Sequence, residues 1–543
     1  MSAARPTPPT LLIGLDGATF DVLDPYVAAG LMPCLGELMA RGTRAPLRSV
    51  VPALTPPAWT SMVTGKHPGQ HGIFDFFQKE EPGSIYFAYA SSQNVHSATI
   101  WSLASEQERR IISLNFPLMF PAPEVQGAVV PGGMMPWRQL RLGCHPPGLF
   151  QRLKTLPGFE PREMLDMELE VKAIDGCPED EYADWVELHI RREGRWAEVL
   201  DYLMREEPAD LIGIMFDGVD KLQHLCWRFI DPACRPERPT EWEQAMIERC
   251  ERYFASLDGL IADIVERAGP EATVILASDH GFGPTQDVFH VNSWLEQEGY
   301  LAWADPAEAE RRRSATDVGF AEMTRHVHAL DWTRTLAYAA TPSSQGINIV
   351  ERMPGSDEPL SEDVRARISL ELAAGLMELR HPEAGTALIE EVWTREQAFV
   401  GPYEGLGPDL SIVLAGGATM SILPADVLVA RRPTVRGHHR ADGIFIAAGP
   451  GIRAGAHVDR LSIVDVAPLV MHQLGLPIPD DMAGRLPAEI FAAGELERRP
   501  ARTVHGAPAP EPPAPVTGGA GLELDAVEQA AVIKRLRALG YVE

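Results

Sequence analysis

The chain has 543 residues, 45% hydrophobic and 23% charged, proportions that exclude global disorder and suit one large elaborated domain better than a single simple core. Its formal net charge of −28 argues against a nucleic-acid backbone as the main partner, because phosphate binding wants clustered Lys and Arg. Six cysteines, at 34, 144, 177, 226, 234 and 250, form no CxxC pair, so neither a thiolate metal site nor a disulfide framework is expected and the thiols read as reduced.

In chain order, the first apolar run, about residues 10–15, is a strand that breaks at Asp16, too early for a signal peptide or a membrane span. A cytoplasmic location is the simplest expectation. A loop and a helix ending at Gly42 follow, then a short strand near 46–51. Pro52, Pro56 and Pro57 are expected to hold the backbone out of a helix until about Ala58, which places Thr55 just ahead of a helix N-terminus. Such an end carries partial positive charge and free N–H groups, a favourable position for a phosphate-bearing hydroxyl. Residues 80–190, rich in Pro and Gly with weak strand signals such as RRIISLNFP, read as loop-rich decoration. From residue 192 the pattern sharpens to a helix over GRWAEVLDYLMRE, a strand ending near Asp217, a long helix over 241–269 and the strand TVILAS. Met246, Cys250, Tyr253, Leu257, Leu260 and Ile264 recur at helical spacing, so this is a β-α-β unit and that stripe is core.

Residues 290–400, with the helical stretch SEDVRARISLELAAGLMEL, read as an inserted cap, and 405–495 return to short strands and a helix. The expected domain is therefore 1–497, followed by a Pro-rich linker over 498–521 and a C-terminal docking helix over 522–543, with Val532, Leu536 and Leu539 on one face. The fold class is α/β, a central and mostly parallel sheet flanked by helices and carrying cap segments.

Three strands end on or just before an aspartate: LLIGLDG on Asp16, DLIGIMFDG ahead of Asp220 and His224, TVILASDHG on Asp279 and His280. His439 follows in RGHHRADGIFIAAG. In an open α/β sheet the functional crevice lies at the carboxyl ends of the strands, so these side chains would meet in one place. A mixed Asp/His cluster of that size suits two divalent cations, and a hydroxyl beside it would complete a phosphoryl-transfer site. Each member has a plainer alternative when taken alone. Asp16 could cap a loop beside Gly17, the i, i+4 pair Asp220 and His224 could be a solvated face, His438 competes with His439, and Thr60, Ser61 and Thr64 compete with Thr55.

The ordered set LLIGLDG, ALTPPAWTSMVTGKHPGQHGIFDF, FDGVDKLQH, ASDHGFGP and GHHRADGIFIAAGPGI, closed by SIVDVAPLVMHQLGLPIPDDMAGR, resembles the type I phosphodiesterase/nucleotide pyrophosphatase family of the alkaline phosphatase superfamily, from residue 11 to about 490. The resemblance implies an alkaline-phosphatase-like sheet and a metal-dependent hydrolase of phosphodiester or pyrophosphate bonds. It makes Thr55 the nucleophile, ten residues before Gly65, passing through a covalent phosphothreonine. It assigns Asp16, Asp279 and His280 with Thr55 to one metal and Asp220, His224 and His439 to the other, His439 fitting a Gly-x-His pattern. Such ligands suit zinc, with manganese or iron compatible by ligand type.

Nucleotide pyrophosphatases of the family place an Asn three residues after the nucleophile, where this chain has Ala58; Asn115 in SLNFPLMFP is the candidate substitute donor. CRPER, Cys234 to Arg238, resembles a sulfatase modification site but lies far from the nucleophile position, so an ordinary loop is expected. The expected partner is a small phosphorylated substrate, with neither nucleic acid nor membrane. A phosphomonoesterase, phosphonate hydrolase or phosphoryl transferase on the same site is the nearest alternative, and a non-catalytic binding protein the alternative of another class.

Overall fold

The computed structural model describes residues 8–79, 84, 87–133, 135–174, 182–305, 326–341, 343 and 345–506. The expected helix of 522–543 and residues 507–521 of the expected linker lie outside them. The central sheet is built from β1 (Thr10–Leu15), β2 (Thr43–Arg48), β3 (Ile111–Leu114), β4 (Gly127–Val130), β5 (Leu211–Phe216) and β6 (Thr273–Ala277). Beyond it in the chain come a long ribbon, β7 (Gly281–His290) and β8 (Val429–Arg440), then β9 (Asp442–Ala448) and β10 (Ala456–His457). The spatial order is β10-β2-β9-β6-β1-β5-β3-β4, with Leu461–Ser462 alongside β2. β1 pairs in parallel with both β5 and β6, and β9 is the antiparallel member, between β6 and β2.

The strands at the middle are buried at every position and mostly apolar because helices cover both faces. In β1, Leu11, Ile13 and Leu15 join one buried cluster and Leu12 the other; β6 splits likewise, Val274 and Leu276 against Ile275 and Ala277. One face carries the helices Ala183–Glu206 and Glu241–Ala268; the other carries Thr55–Thr64, Ile100–Glu106 and Val466–Gln473. The stripe of Glu241–Ala268 is core as expected, with Met246, Cys250, Tyr253, Leu257 and Ile264 buried.

Several boundaries differ from the sequence expectation. The stretch before Gly42 is two helices, Phe20–Ala28 and Pro33–Arg41, and the strand expected at 46–51 is Thr43–Arg48. The segment 80–190, expected as decoration, supplies the sheet strands β3 and β4, whose four residues each are too short to show a period. The helix expected from about Ala58 begins at Thr55, with Pro56 and Pro57 in its first turn. Proline is tolerated there because first-turn N–H groups have no helical acceptor to lose. The start of the expected linker is also ordered: Thr503–Val504 pairs with Ile478–Pro479.

A second sheet of four strands runs in the order Ala337–Tyr338, Gly346–Ile349, Leu410–Leu414, Ile389–Thr394, so it draws one strand from beyond the expected 290–400 segment. Helix Glu362–Glu378 packs Leu372 and Leu376 into a separate core with Trp294, Ile412 and Leu414. No helix among the described residues is long and apolar enough to cross a membrane.

Candidate active site

All six Asp and His residues singled out by the sequence converge at the carboxyl edge of β1, β5 and β6, and all are buried. Asp16 directly follows β1, its N–H donating to the Phe216 carbonyl at 3.0 Å. Asp220 and His224 occupy the first two turns of helix Gly218–Ile230, which starts two residues after β5, so the i, i+4 pair faces inward rather than solvent. Asp279 and His280 fill the turn between β6 and β7. The ribbon returns His439 to them, because His439 stands opposite Phe282 and Arg440 opposite Gly281 in the antiparallel register. Gly281 serves this turn by close approach, not by an unusual dihedral: a Cβ there would sit 2.0 Å from the Asp442 carbonyl oxygen.

One set of donors forms a nearly equilateral triangle. Asp220 Oδ1 lies 3.3 Å from His224 Nε2 and 3.2 Å from His439 Nε2, and those two nitrogens are 3.2 Å apart. A tetrahedral ion bonded at about 2.0–2.1 Å to nitrogen and oxygen has ligand-to-ligand edges of roughly 3.3–3.4 Å, so three such atoms would fit one face of its coordination shell. The second set is Asp16, Asp279 and His280, with His280 Nε2 at 3.7 Å from Asp16 Oδ1 and 3.3 Å from Asp279 Oδ2. Asp220 Oδ1 is also 4.0 Å from His280 Nε2, and the His280 and His439 rings stack at 3.6 Å, so the two sets adjoin. Asp16 Oδ1, Asp220 Oδ1 and Asp279 Oδ2 are buried without a well-formed hydrogen bond. Buried carboxylate oxygens left so are costly without a cation, and this is the observation by which the donor set fits metal.

His438 and His439 alternate along β8. His438 Nε2 meets the Gln345 side-chain amide at 3.2 Å, while His439 Nδ1 bonds to the Ala53 carbonyl at 2.9 Å and turns Nε2 toward Asp220. Thr55 Oγ1 stands 3.5 Å from His280 Nε2. Its rivals have other partners: Thr60 Oγ1 donates to Pro56 O and Thr64 Oγ1 to Thr60 O, each at 2.7 Å, and Ser61 Oγ meets His71 Nε2 at 2.8 Å. The helix end offers fewer donors than expected. Pro56 and Pro57 have no N–H and Ala58 N–H bonds to Leu54 O, which leaves the Thr55 N–H as the donor the first turn can present.

Asn115 follows β3 at a left-handed φ of 62° and donates its amide to the Met215 carbonyl at 2.8 Å, an anchor between β3 and β5. Two supporting residues carry no sequence signal of their own. Gln223 donates to Gly17 O at 2.7 Å, and Ser278 Oγ donates to Ala18 O at 3.1 Å while accepting from Ile444 N–H at 2.7 Å. With Gly17 N–H on Asp279 Oδ1 at 3.1 Å, they lock the Asp16 loop to the other ligand segments. Behind Asp220, buried Lys221 bridges Glu170 at 2.9 Å and Asp217 at 2.7 Å.

Burial, reinforced by the Asp279 and Asp220 charges, raises Asp16 well above the usual carboxylate range. Burial likewise pushes Asp279 up to about 7. Burial acts on Asp220 in the same direction, yet the facing His224 and His439 hold it well below. Desolvation lowers His280 and His224. A metal held there would require the carboxylate form of Asp279, which carries a proton below pH about 7, whereas burial favours the neutral form of His280 and His224 that a ligand needs. Zinc binding at pH 6 should therefore release protons, and apparent affinity should fall as pH drops below about 7. Calorimetric titration in buffers of different ionisation enthalpy checks this; a buffer-independent heat at pH 6 would contradict it.

Cys234 of CRPER lies between helices Gly218–Ile230 and Glu241–Ala268, its thiol donating to Asp231 Oδ2 at 3.2 Å. Burial, and then Asp231, push the thiol up to about 11. Mass spectrometry should find it unmodified; formylglycine at this position, with activity lost in Cys234→Ala, would replace Thr55 chemistry with a sulfatase mechanism.

A family model described as type I phosphodiesterase / nucleotide pyrophosphatase matches residues 10–372. Among curated relatives, ectonucleotide pyrophosphatase/phosphodiesterase family member 1 of Rattus norvegicus is 34% identical over 110 residues, 19% of this chain and 12% of the relative. The Homo sapiens protein of the same name is 43% identical over 70 residues, 13% of this chain and 7% of that protein. The matched stretches thus span a small part of those relatives' length. Among solved structures, murine ectonucleotide pyrophosphatase/phosphodiesterase 5 superposes with a TM-score of 0.51 at 15% identity, over 89% of this chain and all of that one (100%). An inactive variant of it, in complex with AMP, matches equally. At that identity the likeness shows the fold.

Proposed function

This chain belongs to the type I phosphodiesterase / nucleotide pyrophosphatase family, and we propose that it is a two-metal hydrolase of phosphodiester or phosphoanhydride bonds that works through a covalent adduct on Thr55. One observation carries the proposal: a helix-start hydroxyl stands 3.5 Å from a ring nitrogen that belongs to a buried Asp/His ligand cluster. Asp16, Asp279, His280 and Thr55 would hold one divalent cation, and Asp220, His224 and His439 the other, a nitrogen and carboxylate set suited to zinc and compatible with manganese or iron. When bound, such cations supply positive charge that offsets the phosphoryl oxygens and favours the ionised form of a nearby hydroxyl.

Thr55 supplies the attacking oxygen. Its O–H proton passes to solvent as a Thr55 Oγ1–phosphorus bond forms, and the leaving group departs with the electron pair of the bond that breaks, an alkoxide then taking up a proton from water. Water then displaces Thr55 from phosphorus, and the hydroxyl is restored. With a diester, the adduct is a phosphothreonine that retains one ester group. Burial lowers His280 well below its ordinary value, which favours the neutral ring that a cation needs as a ligand. The first turn offers one N–H donor and Ala58 adds no side-chain donor, which favours a monoanionic diester over a dianionic monoester.

The AMP complex of the murine structure supports a small phosphorylated substrate. Unpaired cysteine spacing supports a cytoplasmic location, which cell fractionation would test. The activity is tested by comparing turnover of zinc-loaded protein on a bis-aryl phosphate, an aryl monophosphate, an aryl phosphonate and an aryl sulfate. The diester should lead; a lead for the monoester or phosphonate moves the assignment to that class, and a lead for the sulfate ends it.

A further inference from the structure

Arg440 ends β8, immediately after His439. Its Nη1 donates to the carbonyls of His438 at 3.2 Å and His439 at 3.0 Å, and its Nη2 to those of Pro284 at 2.5 Å and Gly416 at 2.8 Å. Among the described residues no carboxylate forms an ion pair with it. A half-buried guanidinium whose hydrogens go to four backbone carbonyls has little left for a substrate phosphate, so its part is not that of an anion clamp.

Three segments are shaped to receive it: the end of β8, the start of β7, and the 415–417 turn that follows the strand Leu410–Leu414. Side chains are absent where the guanidinium lies. A Cβ on Gly417, at φ +66°, would meet Nη1 at 1.4 Å, and one on Gly283 would meet Nε at 2.8 Å. The peptide unit of His439 is thereby held from the carbonyl side by Arg440, while its ring is held by the Ala53 carbonyl on Nδ1. Together these contacts leave Nε2 at 3.2 Å from both Asp220 Oδ1 and His224 Nε2.

We propose that Arg440 is a positioning residue for His439, and through it for the cation held with Asp220 and His224. The proposal rests on the reading of those three residues as one ligand set. Lysine cannot replace arginine here, because a single ammonium nitrogen cannot span carbonyls reached by two separate nitrogens of a planar fork.

The test titrates zinc into wild type, Arg440→Lys and Arg440→Gln in competition with a chromophoric chelator, with the melting temperature of each metal-free protein and kcat at increasing zinc. Wild type should bind two ions. Both variants should keep one ion at wild-type affinity and bind the other roughly 10–100-fold more weakly, the range seen when an outer partner of a metal ligand is removed. Excess zinc should restore most of kcat, a rescue that a merely structural role would not allow. If Arg440→Gln does not fold, Gly417→Ala, which presses on the guanidinium, is titrated in its place with the same expectation. Two ions at wild-type affinity in the variants overturn the proposal, as does lost activity that zinc does not restore. A wild type that binds one ion or none overturns the ligand set itself, and the role of Arg440 with it.

Discussion

Thr55→Ala should keep the fold and most metal binding while lowering turnover by several orders of magnitude. The substitution removes one hydroxyl and one methyl at the first position of a helix whose N-cap is Leu54, so the Thr55 side chain is not the capping group and little structure depends on it. Its polar neighbour is His280 Nε2 at 3.5 Å, and the other Thr and Ser hydroxyls of that helix have the local partners described above. With the nucleophile gone, none of them can reach phosphorus without breaking its own bond, and the remaining route is direct attack by water, a different and slower reaction. Single-turnover kinetics on an activated diester measure the loss. Thr55→Ser should recover a large part of it, and a Thr55→Ala variant with near-normal turnover would refute the nucleophile assignment.

Asp279→Asn should remove one of the two ions and the activity together, yet leave the metal-free protein at least as stable as wild type. The asparagine Oδ1 can still accept from Gly17 N–H, which sits 3.1 Å from the aspartate oxygen it would replace. What disappears is a buried charge that desolvation already disfavours, since burial pushes Asp279 up to about 7. Above that pH the wild-type metal-free fold bears an ionised, desolvated carboxylate and the variant does not, so at pH 8 the variant gains stability relative to wild type. Saturating zinc should raise the melting temperature of wild type by more than that of the variant, which keeps only the other ligand set. Elemental analysis and paired melts at pH 8 check both halves; a variant that retains two ions would contradict the ligand set. His224→Ala should give the same loss of activity, with the Asp220 and His439 contacts left incomplete.

Much of this site is legible in the chain because its aspartates follow strongly apolar strands. TLLIGL and LIGIMF are unbroken apolar runs that cannot be solvated, and each is closed by a polar side chain at the edge where a parallel sheet opens. The start of helix Thr55–Thr64 is less legible, since proline weakens a helix interior but suits a first turn, and the sequence does not say which position Pro56 holds. RRIISLNFP signals β3, but its place in the sheet, and β4 altogether, are lost among Pro and Gly because four buried residues fit strand and helix alike. His438 and His439 differ only in which side of β8 they face, a matter of register against β7 that lies over 150 residues away in the chain. Arg440 is the extreme case: its partners are carbonyls of Pro284 and Gly416, and backbone oxygens have no signature in a sequence.

The most direct measurement is peptide mass spectrometry of zinc-loaded protein quenched in acid during turnover of a slow diester. The expected result is the ester-bearing phosphoryl group on the peptide containing Thr55, localised to that residue and absent without zinc. Label on Thr60 or Ser61 instead, or steady turnover with no adduct at any time point, would contradict a covalent route through Thr55.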